Sequence, residues 1–134
     1  MMPVVGKKKS LKIMIIEDEQ DILLLYKDYL VNKGHQVLVT GTSATEVISD
    51  FDKIQPDIAI IDYRLPGSKS GLEAAIQIYS KYPSAAILIV TAYETVIEEV
   101  SKEKIFQGKK FNIVIKPIKL ISLENKMYEV LNLH

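Results

Sequence analysis

Short apolar runs alternate along the chain with longer segments in which apolar residues recur at three- and four-residue spacing. The short runs LKIMII, HQVLVT, DIAIID, AAILIVTA and FNIVIK are typical of β-strands. Gly34, Pro56 and Pro83 lie between these runs and the longer segments, where such residues end helices and form turns. The alternation predicts five strand–helix repeats.

The longer segments predict helices with one apolar face each. In the first, residues 17–34, the spacing predicts that Ile22, Leu25, Tyr29 and Leu30 face the core. The last, LISLENKMYEVLNL, has a stripe that consists of Leu120, Leu123, Met127, Val130 and Leu131. Both segments therefore predict amphipathic helices that pack on a sheet.

The second helix is predicted to begin at Ser43, whose side chain would cap it. Its apolar stripe consists of Ala44, Val47, Ile48 and Phe51. The third helix is GLEAAIQIYSKY, which ends before a proline.

The segment before the last strand has a weaker pattern than the others. It predicts a short helix through Val96 and Val100, with Ile105 at its end, and then a loop at Gly108. Its boundaries follow least clearly from the spacing.

Two of the predicted strands are continuously apolar rather than alternating. The runs IAII and AAILIV are typical of strands buried on both faces, which occur in parallel sheets covered by helices. We therefore predict a doubly wound α/β fold with a five-stranded parallel sheet. Folds of this kind bind ligands beyond the carboxyl ends of the strands.

Composition narrows the class of protein. The 134 residues suit one domain, and 48% of them are apolar and 25% charged, as in globular proteins. There are 17 basic and 17 acidic residues, so no net charge points to nucleic acid or a membrane surface. The absence of cysteine excludes disulfides and thiolate chemistry and fits the cytoplasm.

The amino terminus contains three lysines but no apolar core of signal-peptide length. We expect residues 1–9 to form a flexible, solvated leader and residues 10–134 to form the domain. No run is long enough for a membrane span.

Polar residues stand at the carboxyl ends of four predicted strands. They are Glu17 and Asp18, then Asp62, then Thr91, then Lys116. Each has a structural interpretation when taken alone: Asp18 could favour a helix start, Asp62 could open a turn, and Thr91 is common in strands. Parallel strands bring their carboxyl ends to one edge of the sheet, however, so these residues are expected to meet there.

Three carboxylates that share a crevice repel one another, which favours a hard divalent cation, Mg²⁺ or Mn²⁺. Lys116 adds a second positive charge, as expected where an incoming anion must be neutralised. A phosphoryl group fits this set, with Thr91 hydrogen-bonding one oxygen and Asp62 acting as the nucleophile.

The motifs IIEDE, IIDYRLPG, IVTAY and VIKPI, in this order on successive strands, resemble the receiver domain of two-component response regulators over about residues 10–133. The resemblance implies a flavodoxin-like sheet in the order 2-1-3-4-5. It also implies Mg²⁺-dependent transfer of a phosphoryl group from a phosphohistidine on a partner histidine kinase or phosphotransfer protein.

The family's site residues carry over by position. Asp62 matches the phosphoacceptor, Glu17 and Asp18 match the acidic pair that binds the metal, and the backbone carbonyl of Arg64 matches a further metal ligand. Thr91 matches the switch hydroxyl.

Further matches follow at the last two strands. Lys116 matches the phosphate-binding lysine, and Pro117 resembles the proline of the family's Lys-Pro turn, which is often cis. Ala92 matches the small residue that leaves the phosphoryl site open. Arg64 and Tyr93 are predicted to flank the entrance and to control how readily water reaches the phosphoryl group.

The chain departs from the family pattern at three places. Ile113 stands where the family has an aromatic switch residue, with Phe111 or Tyr93 as possible substitutes. The loop YRLPGSKSG is one residue longer than usual, and the segment around KEKIFQGKK is also longer. That segment forms the partner-docking face in relatives, so its altered length predicts an unusual partner, an unusual dimer mode, or none of the usual ones.

Three alternatives remain open. An aspartyl-phosphate phosphatase would need a second acid two residues after the nucleophile, where this chain has Arg64. A pseudo-receiver would keep the fold as an interaction module without phosphorylation. The chain could also be a receiver cut from a longer regulator. We favour the receiver interpretation over these three. In it the chain is a phosphoacceptor that is not itself an enzyme and that switches a protein–protein interaction. This function needs no direct contact with nucleic acid or a membrane.

Overall fold

A computed structural model describes residues 10–64 and 70–132, so the leader predicted for residues 1–9 lies outside the described residues. The strands are β1 Lys12–Ile16, β2 Gln36–Gly41, β3 Ile58–Asp62, β4 Ala86–Thr91 and β5 Lys110–Ile115. The helices are α1 Gln20–Asn32, α2 Val47–Ile54, α3 Gly71–Lys81, α4 Thr95–Ser101 and α5 Leu120–Asn132, with a 3-10 turn at Lys104–Phe106. Strands and helices alternate as the hydrophobic pattern predicted.

The five strands form one parallel sheet in the order β2-β1-β3-β4-β5. The prediction of a doubly wound, flavodoxin-like fold is confirmed. Asp62 at the end of β3 pairs with Val90, and Thr91 at the end of β4 pairs with Ile115. This register brings the carboxyl ends of the three strands β3, β4 and β5 level with one another.

Two apolar layers cover the sheet, one on each face. Every residue of β3 and β4 is buried, and alternate side chains of these strands enter opposite layers, as expected for central parallel strands. Helices α1 and α5 contribute to one layer, and α2, α3 and α4 contribute to the other. The sheet is thus a rigid support for whatever stands at its ends.

The face of α1 differs from the prediction. Leu23, Tyr26 and Leu30 are its buried residues, whereas the side chain of Leu25 is 53% exposed, and Ile22 and Tyr29 are only partly buried at the margin of the layer. The run of consecutive leucines before Tyr26 fits two helical phases equally well. Packing against the sheet, which periodicity does not contain, selects one of them.

The predicted start of α2 at Ser43 is also wrong. The helix begins at Val47 after Glu46, which makes no side-chain cap, and the Ser43 hydroxyl donates to Thr45 Oγ1 (3.3 Å) instead. Ala44 is buried as predicted, but it lies in the turn before the helix, where its carbonyl accepts from Val47 N (3.2 Å). A local hydrogen bond therefore competes successfully with the cap.

The predicted apolar faces of the last two helices are confirmed in their buried residues. Leu123, Met127 and Val130 form the buried stripe of α5. Helix α4 is short, with Val96 buried and Val100 partly buried. The predicted end at Ile105 differs: α4 stops at Ser101, and Ile105 lies in the 3-10 turn that follows.

Helix α3 begins with a capping box that the sequence analysis did not predict. Ser70 Oγ accepts from Glu73 N (3.2 Å), and Glu73 Oε1 accepts from Ser70 N (3.3 Å). These reciprocal bonds fix the start of the helix. No helix in the described part of the chain has the length and apolarity that a membrane crossing requires.

The amino-end edge of the sheet holds a buried polar cluster of His35, Glu124, Tyr29 and Tyr128, which we call the amino-end cluster. His35 Nδ1 accepts from Leu11 N (3.1 Å), so the proton of the neutral ring is on Nε2, which lies 3.1 Å from Glu124 Oε2 and 3.0 Å from the Tyr128 hydroxyl.

Both tyrosine hydroxyls in this cluster donate to Glu124, that of Tyr29 to Oε1 and that of Tyr128 to Oε2, each at 3.3 Å. Burial and the charge of Glu124 raise the pKa of Tyr128 to about 12. The cluster joins α1 and α5 to the strand ends and was not predicted, because hydrophobic spacing gives no signal for a polar contact between residues 89 positions apart.

Candidate functional site

The opposite, carboxyl-end edge of the sheet brings together the acids that the strand ends predicted. Glu17 and Asp18 directly follow β1, and Asp62 is the last residue of its neighbour β3. One carboxylate oxygen from each of the three lies within 4.8 Å of the others. Glu17 and Asp62 are buried, whereas Asp18 is exposed.

Lys116 completes this group, and we call Glu17, Asp18, Asp62 and Lys116 the carboxyl-end cluster. Its Nζ lies 2.9 Å from Glu17 Oε1 and 3.5 Å from Asp62 Oδ2. Its backbone N donates to the Thr91 carbonyl (2.7 Å), and the Lys116–Pro117 peptide bond is cis.

Electrostatics in the carboxyl-end cluster work against the ionised form of Asp62. Burial first, and then the hydrogen bond and charge of Glu17, raise the pKa of Asp62 to about 8, although Lys116 opposes the shift. Burial alone would lower the pKa of Lys116, but its bond to Glu17 and the charge of Asp62 raise it. One lysine does not balance three carboxylates, so the cluster is short of positive charge.

Thr91 is fully buried at the end of β4, and its Oγ1 accepts from Tyr93 N (3.0 Å). The hydroxyl therefore holds the first residues of the loop between β4 and α4. A side chain that turned to a new partner at this edge would release that loop.

A cavity of about 260 Å³ opens above the cluster. Its lining consists of Asp18, Glu19, Asp62, Arg64, Ala92, Tyr93 and Lys116. The Arg64 guanidinium lies over the Tyr93 ring, 4.4 Å from its centroid. These two predicted entrance residues thus contact each other at the rim of the cavity, and the small side chain of Ala92 keeps its wall open.

A second, larger cavity of about 390 Å³ adjoins the first and shares Ala92 and Lys116 with it. The remaining lining residues are Ile22, Leu25, Tyr26, Pro117 and Ile118. The exposed Leu25 side chain therefore forms part of an apolar wall beside the acidic cavity.

Gly71, the first residue of α3, lies against the backbone of Asp62. A Cβ at this position would come within 2.0 Å of the Asp62 carbonyl oxygen. The Gly71 N–H also donates to the Tyr63 carbonyl (2.8 Å), while Tyr63 N donates to the Val90 carbonyl (3.0 Å). The residues that follow Asp62 are thereby fixed to the sheet on one side and to α3 on the other.

The aromatic residues near the predicted switch position pack elsewhere. Ile113 is partly buried against the core, and Phe111 packs on Phe106 (ring centroids 4.5 Å apart) and on Tyr79 (6.3 Å). Phe111 is therefore packed among core aromatic rings in this structure.

One contact near the site was not predicted at all. The Tyr63 hydroxyl donates to Glu99 Oε2 of α4 at 2.7 Å, and this hydrogen bond is the main cause that raises the pKa of Tyr63. The motif IIDYRLPG gave no signal for it, because the two residues are 36 positions apart.

Comparisons with known proteins agree on one family. Residues 13–128 match the response regulator receiver domain. The chain is 29% identical over 82 residues to the chemotaxis protein CheY of Listeria monocytogenes. The match covers 61% of this chain and 68% of CheY. It is 32% identical over 111 residues to the regulatory protein VanR of Enterococcus faecium, which covers 83% of this chain and 47% of VanR.

Solved structures show the same fold. A receiver domain protein from Clostridium thermocellum matches with a TM-score of 0.76 and 27% identity, over 90% of this chain and 94% of that one. A CheY-like receiver domain protein from Methanospirillum hungatei matches with a TM-score of 0.78 and 22% identity, over 92% and 95% of the two chains.

Proposed function

The chain belongs to the response regulator receiver family, and on that premise we propose that it accepts a phosphoryl group on Asp62 in a two-component phosphorelay. Members of this family are receivers in two-component signalling and not enzymes. The observation that carries the proposal is the carboxyl-end cluster itself: three carboxylates within 4.8 Å of one another, with Lys116 Nζ 3.5 Å from Asp62 Oδ2.

Glu17, Asp18 and Asp62, with the backbone carbonyl of Arg64, would hold a Mg²⁺ ion. An acidic triad of this kind is typical of receiver domains, and oxygen ligands suit this cation. When bound, the ion supplies positive charge to carboxylate and phosphoryl oxygens. The raised pKa of Asp62 supports the assignment, because a group of acids with one lysine needs a further cation before all of it ionises.

Asp62 would be the nucleophile. A carboxylate oxygen forms the new bond to phosphorus while the bond from phosphorus to the donor's imidazole nitrogen breaks and that nitrogen keeps the electron pair. The Asp62 side chain is held for this step by β3, which is buried throughout, and by the close approach of Gly71.

Lys116 and Thr91 would bind the transferred group. Lys116 Nζ already lies between Glu17 and Asp62, from where it neutralises charge on a phosphoryl oxygen. The Thr91 hydroxyl would donate its proton to another phosphoryl oxygen, and a turn of the side chain towards that oxygen would draw Oγ1 away from Tyr93 N.

The donor is a sensor histidine kinase or a phosphotransfer protein, since receiver domains pair with histidine kinases. Residues 10–134 would act as one receiver domain. Its output would be a contact with a downstream protein.

The test is phosphorylation with acetyl phosphate and Mg²⁺, followed by mass spectrometry of the intact protein. We expect the wild type to gain the mass of one phosphoryl group and Asp62→Asn to gain none. Asp28→Asn, which removes an exposed carboxylate from α1, is the matched control and should gain the same mass as the wild type. A wild type that gains no mass with acetyl phosphate or with a kinase would favour a pseudo-receiver.

A further inference from the structure

Helix α4 is held to the rest of the protein by few contacts. Of its seven residues, all of them described, Val96 alone is buried, and Val100 packs partly against the core. Ile97 on its outer face is 53% exposed. A helix with so little buried surface has a position that a single additional contact can influence.

That additional contact is the hydrogen bond from Tyr63 to Glu99. In the described part of the chain it is the one side-chain hydrogen bond that joins α4 to another segment, and it is short, at 2.7 Å, although it lies at the surface. Tyr63 directly follows Asp62, and its backbone is fixed by bonds to Val90 and Gly71. The Tyr63 side chain therefore starts from a fixed backbone position next to the phosphoacceptor.

The start of α4 is connected to the same site by a second route. Thr91 Oγ1 accepts from Tyr93 N (3.0 Å), and Tyr93 lies two residues before Thr95, the first residue of the helix. Helix α4 is thus attached to the site at its start through Thr91 and in its second turn through Glu99.

We propose that the hydrogen bond between Tyr63 and Glu99 is the switch contact of this chain, which holds α4 in place while Asp62 is unmodified and breaks when Asp62 is phosphorylated. The inference rests on the proposed function, because it concerns the regulation of the same site. Once the Thr91 hydroxyl turns to a phosphoryl oxygen, the loop before α4 is released, while Tyr63 stays with the sheet. A hydrogen bond of this length is lost after a displacement of under about 1 Å.

Ile113 leaves this chain without an aromatic residue at the family's usual switch position. An isoleucine has no polar group that could exchange one hydrogen-bond partner for another, and the nearby Phe111 is packed between Phe106 and Tyr79. Tyr63 offers a polar aromatic group on the other side of the phosphoacceptor, close to the same helix. The surface that changes on phosphorylation is then the outer face of α4, with Ile97 at its centre.

The test is amide hydrogen exchange of residues 95–101, with and without beryllofluoride and Mg²⁺, in the wild type and in Tyr63→Phe. In the wild type we expect beryllofluoride to speed exchange in α4. In Tyr63→Phe we expect fast exchange without beryllofluoride and little further change on its addition. The matched control is Tyr82→Phe, which removes another hydroxyl that donates to a carboxylate, Asp52 of α2, and should behave as the wild type.

The affinity for beryllofluoride is a second readout, because a contact that is broken by binding must also weaken binding. If the hydrogen bond opposes the phosphorylated state, its removal in Tyr63→Phe should tighten beryllofluoride binding, by about 5-fold. Glu99→Gln keeps a neutral acceptor and should fall between the wild type and Tyr63→Phe. Circular dichroism of each variant checks that the fold is intact.

The inference is overturned if Tyr63→Phe matches the wild type in α4 exchange, both without beryllofluoride and in the response to it. In that case all variants would still gain the phosphoryl mass with acetyl phosphate, and the proposed function would stand. If the wild type itself gains no phosphoryl group, the proposed function fails, and the switch contact fails with it.

Discussion

Two buried carboxylates stand at opposite edges of the same sheet, and their surroundings differ. Glu124 in the amino-end cluster is surrounded by donors, the hydroxyls of Tyr29 and Tyr128 and the Nε2 of His35, all within 3.3 Å. Asp62 in the carboxyl-end cluster lies among other acids, with Lys116 at 3.5 Å. Both carboxylates are equally removed from water, so the difference lies in their partners.

This difference separates a structural polar group from a functional one. A buried carboxylate that contributes to stability needs its oxygens hydrogen-bonded, because a buried acceptor without donors costs free energy. Glu124 satisfies that requirement, whereas Asp62 does so poorly and has a pKa raised to about 8. The deficit at Asp62 disfavours its ionised form in the free protein, and the proposed cation would relieve it.

The largest expected effect is a loss of stability when the amino-end cluster is disrupted. Glu124→Ala removes the acceptor that His35, Tyr29 and Tyr128 share, so we expect the free energy of unfolding to fall by about 2–3 kcal/mol. Urea denaturation measures it. Glu129→Ala on the same helix, which removes an exposed carboxylate paired with Lys126, should change stability by less than about 0.5 kcal/mol. Equal effects of the two variants would contradict the comparison.

The next largest expected effect is a gain in stability, from a substitution in the carboxyl-end cluster. Asp62→Asn should stabilise the protein by about 1–2 kcal/mol at pH 8 in EDTA, because it removes a charge that the fold disfavours. Since the pKa of Asp62 is raised from its ordinary 3.8 to about 8, the wild type should lose stability as the pH rises between these values, whereas the variant should not. Urea titrations at pH 5 and pH 8 measure both. If the difference in free energy of unfolding between Asp62→Asn and the wild type did not increase from pH 5 to pH 8, Asp62 would be well solvated in the folded protein.

A smaller effect concerns the rim of the acidic cavity. Arg64→Ala removes the guanidinium over Tyr93, and the double variant Arg64→Ala/Tyr93→Ala opens the rim further, so water should reach the phosphoryl group more readily. We expect dephosphorylation to be severalfold faster, as measured by loss of the phosphoryl mass with time. Lys33→Ala removes a cation over Tyr29 at the other edge and should leave the rate unchanged. An unchanged rate in the double variant would rule out a shielding role.

The smallest effect is that of the cation alone. Mg²⁺ at a concentration equal to its dissociation constant should stabilise the wild type by about 0.4 kcal/mol, which raises the melting temperature by about 1–2 °C. Asp18→Asn should abolish the shift in melting temperature. Asp21→Asn, which removes an exposed carboxylate from the first turn of α1, should retain the shift. Glu124→Ala should retain the shift as well. A shift that survived in Asp18→Asn would place the cation elsewhere.

Much of the fold followed from local pattern. Continuous apolar runs predicted β3 and β4, and the ends of those runs predicted which side chains meet, because parallel topology places all carboxyl ends at one edge. Glu17, Asp62 and Lys116 therefore came together as spacing predicted, although their roles are still proposals.

The contacts that sequence analysis missed join residues far apart in the chain. His35 and Glu124 are separated by 89 positions, and Tyr63 and Glu99 by 36. Glu124 did carry a signal, because it stands beside Leu123 and four residues before Tyr128, in the part of α5 that faces the sheet. Leu25 was misplaced for a different reason, since three consecutive leucines leave the helical phase undetermined.

The hydrogen bond from Gly71 to Tyr63 closes the two ends of the segment that joins Arg64 to Ser70. Asp62 is thereby supported from two directions, by β3 within the sheet and by the first residue of α3. Even a methyl group at position 71 would collide with the Asp62 backbone. The missing side chain of one glycine therefore sets how closely α3 can approach the strand that carries Asp62.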